Sequence, residues 1–158
     1  MPDAQAAHEK TLTALLAAQG GANLIYGAGM LELGVTYDFA QLIMDNEIFK
    51  MVKKVIGGIE ISDEKMALDV IHEVGPGGQF ISHEHTYNNF RIEQSKSRLI
   101  DRNNRTGWLN SGGQSMTDRA YEEANAILNS YKPEPLPEHA VNKIREIVEE
   151  AEKEYGLK

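Results

Sequence analysis

Apolar residues recur at helical spacing along most of the chain. In AQAAHEKTLTALLAA the stripe is Leu12, Leu15 and Leu16. Asp3 stands where an N-cap belongs and Gly20-Gly21 closes the run, so a helix is predicted over 4–19. Gln5 and His8 extend that stripe toward the N-terminal end. The next run, ANLIYG, is short, apolar and bounded by glycines, the pattern of a strand buried on both faces. After the loop AGMLELG, Thr36 reads as the cap of a long helix over 37–56, with Met44, Ile48, Met51, Val52 and Val55 as its stripe. GIEIS reads as a second, very short strand. Ser62, followed by Asp63 and Glu64, starts a helix over 62–74 that stops at Gly75-Pro76-Gly77-Gly78. QFISH reads as extended, 86–100 as helical, and 101–116 as loop by composition. Thr117 caps a helix over 117–131, KPEPLP interrupts, and Val141, Ile144, Val148, Ala151 and Tyr155 mark a last helix over 138–155.

The fold class is therefore mostly α with one or two short strands. A lone strand cannot satisfy its own backbone edges. The order helix–strand–helix over the first 56 residues is that of the tail of an alternating α/β protein, so the chain is expected to be incomplete on its N-terminal side. No internal repeat is visible.

Composition narrows the function. The 158 residues are 41% hydrophobic, enough for one core, and carry a net charge of −8. Such acidity argues against general nucleic-acid binding and against docking on anionic membranes. The chain has no cysteine, which excludes disulfides, zinc–thiolate centres and iron–sulfur clusters and makes a reducing cytoplasm the simplest compartment. No apolar run reaches transmembrane length.

The stretch GGQFISHEHTYNNFR, residues 77–91, raises the question of a metal. Residues at i and i+2 share one side of a strand but lie far apart around a helix. His83 and His85 share a metal only if ISHEH is extended, with a third ligand from His72 or Glu32, and no HExxH supports it. The alternatives are a packed turn at a helix start, with backbone bonds to one imidazole, or a neutral proton shuttle in a cleft. No metal is expected. The glycines at 75–78 lack phosphate-loop spacing and read as a helix stop. Glu32 is the one ionisable residue in a glycine-bounded apolar loop directly after a buried strand. In a barrel that is the end where ligands bind, and Gln5 and His8 would stand beside the functional end of a strand entering their helix. Between Arg91 and Arg105 five basic residues face two acidic ones, a local reversal of charge suited to an acidic partner or ligand, or simply a solvated face.

At PDAQAAHEKTLTALL, GANLIYGAGMLELG, LIMDNEI and EVGPGGQFISHEHT the chain closely resembles the trimethylamine:corrinoid methyltransferase family. The resemblance runs nearly end to end. It implies a (β/α)₈ barrel about three times as long as this chain, with residues 1–100 as the C-terminal segment of the barrel and 101–158 as a loop and helical extension of the same domain. It also implies an in-frame amber codon, read as pyrrolysine, shortly upstream of Met1. Translation that stops there and restarts would yield this chain without the catalytic electrophile, so it is expected to be inactive alone. The implied reaction passes a methyl group from trimethylamine to Co(I) of a corrinoid carried by a separate protein, a step of methanogenesis. No cofactor is then bound directly. The implied partners are the corrinoid protein, the missing N-terminal part, and further copies of the full-length chain in a homo-oligomer. On this resemblance Glu32 and Tyr26 are candidates to face the amine, with Gln5 and His8 beside them. His83, His85 and Arg91 would face a pocket or a partner. Pyrrolysine-free relatives that demethylate betaines are an alternative, and so is a free-standing helical interaction domain.

Overall fold

Asp3 caps α1 (Ala4–Gln19), its carboxylate accepting the Ala6 N–H at 2.9 Å, and the helix ends at Gly20 as its sequence predicts. The structure, a computed structural model, describes residues 1–157. After α1 come a short hairpin, β1 (Met30–Leu31) and β2 (Thr36–Tyr37), and then α2 (Phe39–Ile56). The chain continues through α3 (Asp63–Met66), α4 (Leu68–Val74), α5 (Glu84–Glu93), α6 (Arg105–Asn110), α7 (Met116–Ser130) and α8 (Glu138–Glu154). The described residues are thus mostly helical with one two-stranded antiparallel sheet, in the register Met30 to Tyr37 and Leu31 to Thr36. One compact unit covers Met1–Ala126 and a second begins at Ile127.

The core of the first unit is organised around α2. One cluster joins Ala40 and Met44 to Leu99 and to Ala120 of α7. The other joins Ile48 and Val52 to Ala14 of α1, with Ile25 packed against it. Met44 is 3% exposed and Ala40 and Ala120 are fully buried, so the helices meet closely where side chains are small. In the second unit α8 buries none of its residues: Val141, Ile144, Val148 and Tyr155 form a stripe that stays exposed.

Several elements differ from expectation. ANLIYG is not a strand: no described segment pairs with it, and Leu24 and Tyr26 are exposed while Ile25 alone turns toward the core. GIEIS is likewise unpaired, with Ile59 and Ile61 in solvent. Thr36 belongs to β2 and not to a cap. The helix behind it starts at Asp38, whose carboxylate accepts the Gln41 N–H at 2.8 Å. The helix over 62–74 is broken at Ala67, which sits in the left-handed region at φ 49°. That over 86–100 runs instead from Glu84 to Glu93, because His83 caps it early and Ser97, accepting the Leu99 and Ile100 N–H groups, turns the chain where Leu99 is buried. The predicted loop 101–116 contains α6, which Asn104 caps through the Gly107 N–H. Leu12 and Leu16 point outward, since α1 packs on α2 through Ala7, Ala14, Leu15 and Ala18.

Glu47 is buried on α2. It takes Lys50 Nζ at 2.6 Å and the Arg98 N–H at 2.9 Å, which ties α2 to the segment that carries Leu99. Burial pushes its carboxyl up, but bonds from Lys50, Ser97 and the Arg98 N–H outweigh burial and hold it below the ordinary 4.5. A carboxyl lowered by folding adds stability that is complete above its unfolded value and is lost as pH falls through the folded one. The stability advantage of wild type over Glu47→Gln should therefore shrink as pH drops below about 4.5, measured by urea denaturation at stepped pH. Parallel profiles for the two proteins would rule this out.

Candidate functional site

Polar residues share the buried face of α2 with its apolar ones. Gln41 and Asp45 stand one turn apart, in line with Ile48 and Val52, and both are fully buried. Asp45 Oδ2 accepts Lys10 Nζ from α1 at 2.6 Å and the Gly29 N–H at 2.8 Å, and Oδ1 accepts Gln41 Nε2 at 2.7 Å. Lys10 also donates to the Gly27 carbonyl at 3.1 Å, and the Asp38 N–H donates to the Gly29 carbonyl at 2.9 Å. One buried ion pair thus joins α1, α2 and the glycine loop.

The loop needs that hold because its backbone is unusual. Gly27, Gly29 and Gly34 have positive φ, and so do Glu32 at 52° and Leu33 at 56°. Glycine takes this conformation freely, whereas a residue with a Cβ pays about 1–2 kcal/mol. Consecutive strained residues persist only where the surroundings fix them. Here the hairpin, the Thr36 hydroxyl donating to Glu32 Oε2 at 2.7 Å, and the bonds at Gly29 supply that constraint.

The hairpin and the start of α1 flank an open cavity of about 370 Å³, lined by Gln5, Glu9, Lys10, Met30, Glu32 and Leu33 among others. Gln5 Nε2 donates to Glu9 Oε1 at 2.9 Å. Asp3 lines the cavity too, so the carboxylates of Asp3, Glu9 and Glu32 share it with the Lys10 ammonium, which is held by Asp45. Tyr26 lines an adjacent cavity of about 240 Å³ with Lys10, Ile25 and Phe49. Lys10 borders both.

The structure therefore brings Gln5 and Glu32 together and sets Tyr26 beside them, whereas His8 is exposed on α1 and lines neither cavity. The histidine pair lies elsewhere. His83 Nδ1 accepts the His85 N–H at 3.1 Å as the cap of α5, and its Nε2 is 3.5 Å from Glu73. His85 Nε2 lies 2.9 Å from the Glu64 carbonyl, a bond in which the imidazole N–H donates. Beside it Lys65 reaches Asn89 and Glu93, joining α3 to α5. His72 is exposed on α4, and among the described residues no three His, Cys, Asp or Glu gather as a metal site. Arg91 lies exposed at a separate cavity of about 430 Å³ on α5, with Ile81, Tyr87 and Phe90. In the basic stretch, Arg98 pairs with Glu123 at 3.1 Å.

Lys10, Gln41 and Asp45 escaped the sequence reading. Their signal was present: two polar residues at i and i+4 on the inner seam of an otherwise apolar helix require partners.

These features define a mostly helical segment whose glycine-rich hairpin holds a carboxylate over an acidic cavity. Residues 1–156 match the family model of trimethylamine methyltransferase (MTTB), and the chain belongs to that family. It is 58% identical over 157 residues to the trimethylamine methyltransferase MttB of Desulfitobacterium hafniense (strain DSM 10664 / DCB-2), covering 99% of this chain and 32% of the relative. To that of Methanosarcina barkeri (strain Fusaro / DSM 804) it is 39% identical over 155 residues, covering 98% of this chain and 31% of the relative. A glycine betaine methyltransferase of Desulfitobacterium hafniense (strain Y51) is 32% identical, covering 98% of this chain and 32% of the relative. The chain spans about a third of the length of these relatives. No helix among the described residues is long and apolar enough to cross a membrane.

Proposed function

We propose that this chain is the C-terminal part of a (β/α)₈-barrel enzyme that transfers a methyl group from trimethylamine to the corrinoid of a separate protein. Residues 1–100 would belong to the barrel and 101–158 to an extension of the same domain. The observation that carries the reading is the cavity where Gln5 of α1 and Glu32 of the hairpin meet. The share of the chemistry assigned to these residues is positioning and charge management. A methyl group leaves an amine only when nitrogen becomes positive, so a carboxylate near that nitrogen stabilises the reacting state. Glu32 is assigned this part. Tyr26 offers an aromatic face to a cationic methylammonium, worth roughly 0.5–2 kcal/mol, and Gln5 offers an amide at the rim. The cobalt of the partner's corrinoid is the acceptor, and the family's pyrrolysine lies outside these 158 residues, so this chain alone is assigned no activity.

A quaternary-amine substrate is the second reading, favoured by the betaine relative alone. The higher identity to trimethylamine enzymes supports the first. In the full-length enzyme carrying this segment, Glu32→Gln keeps size and hydrogen bonding and removes charge. It should lower kcat/KM for trimethylamine at least tenfold, about 1.4 kcal/mol, with the fold intact. Unchanged kinetics with a slightly lower Tm would leave Glu32 a structural partner of Thr36 and end the assignment.

A further inference from the structure

We propose that Asp45 is a positioning residue: by holding the Gly29 N–H and Lys10 together, it sets the 27–34 backbone so that Glu32 faces the cavity it shares with Gln5. This rests on the role assigned to Glu32 above. Asp45 does not line the cavity, and of the residues that do it is hydrogen-bonded to Lys10, so it acts through the loop and not on a ligand.

Three observations support it. Both sides of Gly29 are fixed to the N-terminal half of α2, its N–H by Asp45 and its carbonyl by the Asp38 N–H. β1 begins at the next residue, so the anchor sets where the hairpin starts and hence where Glu32, three residues on, emerges. Glu32 and Leu33 then occupy the left-handed region side by side, a conformation that a loosened loop would leave for an extended one. The carboxylate at the centre of the anchor is wholly inside the protein: Asp45 has no exposure, and the Lys10 side chain that meets it is 22% exposed.

One further atom makes the proposal testable without ambiguity. Gln41 Oε1 is buried and has no hydrogen-bond partner. An asparagine at 45 could keep its carbonyl toward Gly29 and Lys10 while its amide faces Gln41. Turning the Gln41 side-chain amide over would then present that free oxygen to it. Asp45→Asn therefore removes the charge but retains the anchor, whereas Asp45→Ala removes both.

The test is made in the full-length enzyme by hydrogen exchange and steady-state kinetics. In Asp45→Ala, exchange across 27–34 should rise at least tenfold more than across α2, and kcat should fall at least tenfold. Asp45→Asn should stay closer to wild type in both, with at least ten times the kcat of Asp45→Ala. Adding Glu32→Gln to Asp45→Ala should cost little more activity, because the two act through one geometry. Equal exchange increases in loop and helix, or full additivity with Glu32→Gln, would reduce Asp45 to a general stabiliser and overturn the proposal. Should Asp45→Ala not fold, the wild-type Gly29 amide decides: it should exchange as slowly as the Met44 amide, and free exchange there refutes the anchor. If Glu32→Gln alone proves kinetically silent, the function assigned to Glu32 fails, while the exchange data still judge the anchor by itself.

Discussion

Replacing Asp45 by alanine is expected to lower the stability of the protein by about 3–5 kcal/mol, the range for removing one member of a buried ion pair. The loss does not come from the pair's attraction alone. Alanine leaves the Lys10 ammonium without its carboxylate and the buried Gly29 N–H without an acceptor, and each such group carries its own desolvation cost. It also removes the acceptor of the fully buried Gln41 amide. Asp45→Asn should cost markedly less, since the turned Gln41 satisfies its amide. Urea titrations of the two variants measure the difference. A loss under about 1 kcal/mol for alanine would mean that the site opens to solvent and the buried pair is worth no more than a surface one.

Gly29→Ala should be nearly as damaging, at about 2–4 kcal/mol, from two separable causes. The backbone at 29 has φ +80°, where a Cβ is strained by itself. That Cβ would also lie 2.8 Å from the ring of Tyr37, which meets Phe39 edge to face at 5.7 Å and so has a neighbour to displace when it moves. The combination Gly29→Ala with Tyr37→Ala separates them: removing the ring should return the clash portion and leave the backbone portion. A Tm equal to wild type in Gly29→Ala would show that the loop does not hold this conformation in solution.

The helices were legible because apolar spacing and caps are local properties. Asp3 before α1, Ser62 before α3 and the stripe of α2 all act within a turn or two of themselves. The misread elements depend on distant partners. ANLIYG has the composition of a buried strand, yet a strand exists only when another pairs with it, and no described segment does. Thr36 had the look of a cap because nothing local says that Met30 and Leu31 will pair with Thr36 and Tyr37. In the site, Glu32 stood out as a lone carboxylate in a glycine loop. Gln41 and Asp45 were hidden inside a stripe read only for its apolar members, and Lys10 lies 35 residues from the carboxylate it meets. His83 and His85 were conspicuous in sequence, and the structure employs one as a helix cap and the other against a carbonyl.

Lys10 borders two cavities but gives its charge to Asp45. A negatively charged guest in either cavity would therefore have to compete with an internal carboxylate for the Lys10 ammonium, and on the Glu32 side it would also meet three like charges. A positively charged guest faces no such contest. Under the proposed function, the enzyme would discriminate against acids by keeping its own counter-ion occupied, and an amine that also bears a carboxylate would be penalised at this end of the cavity relative to one that does not. Selectivity of that kind is written in a residue the guest never touches.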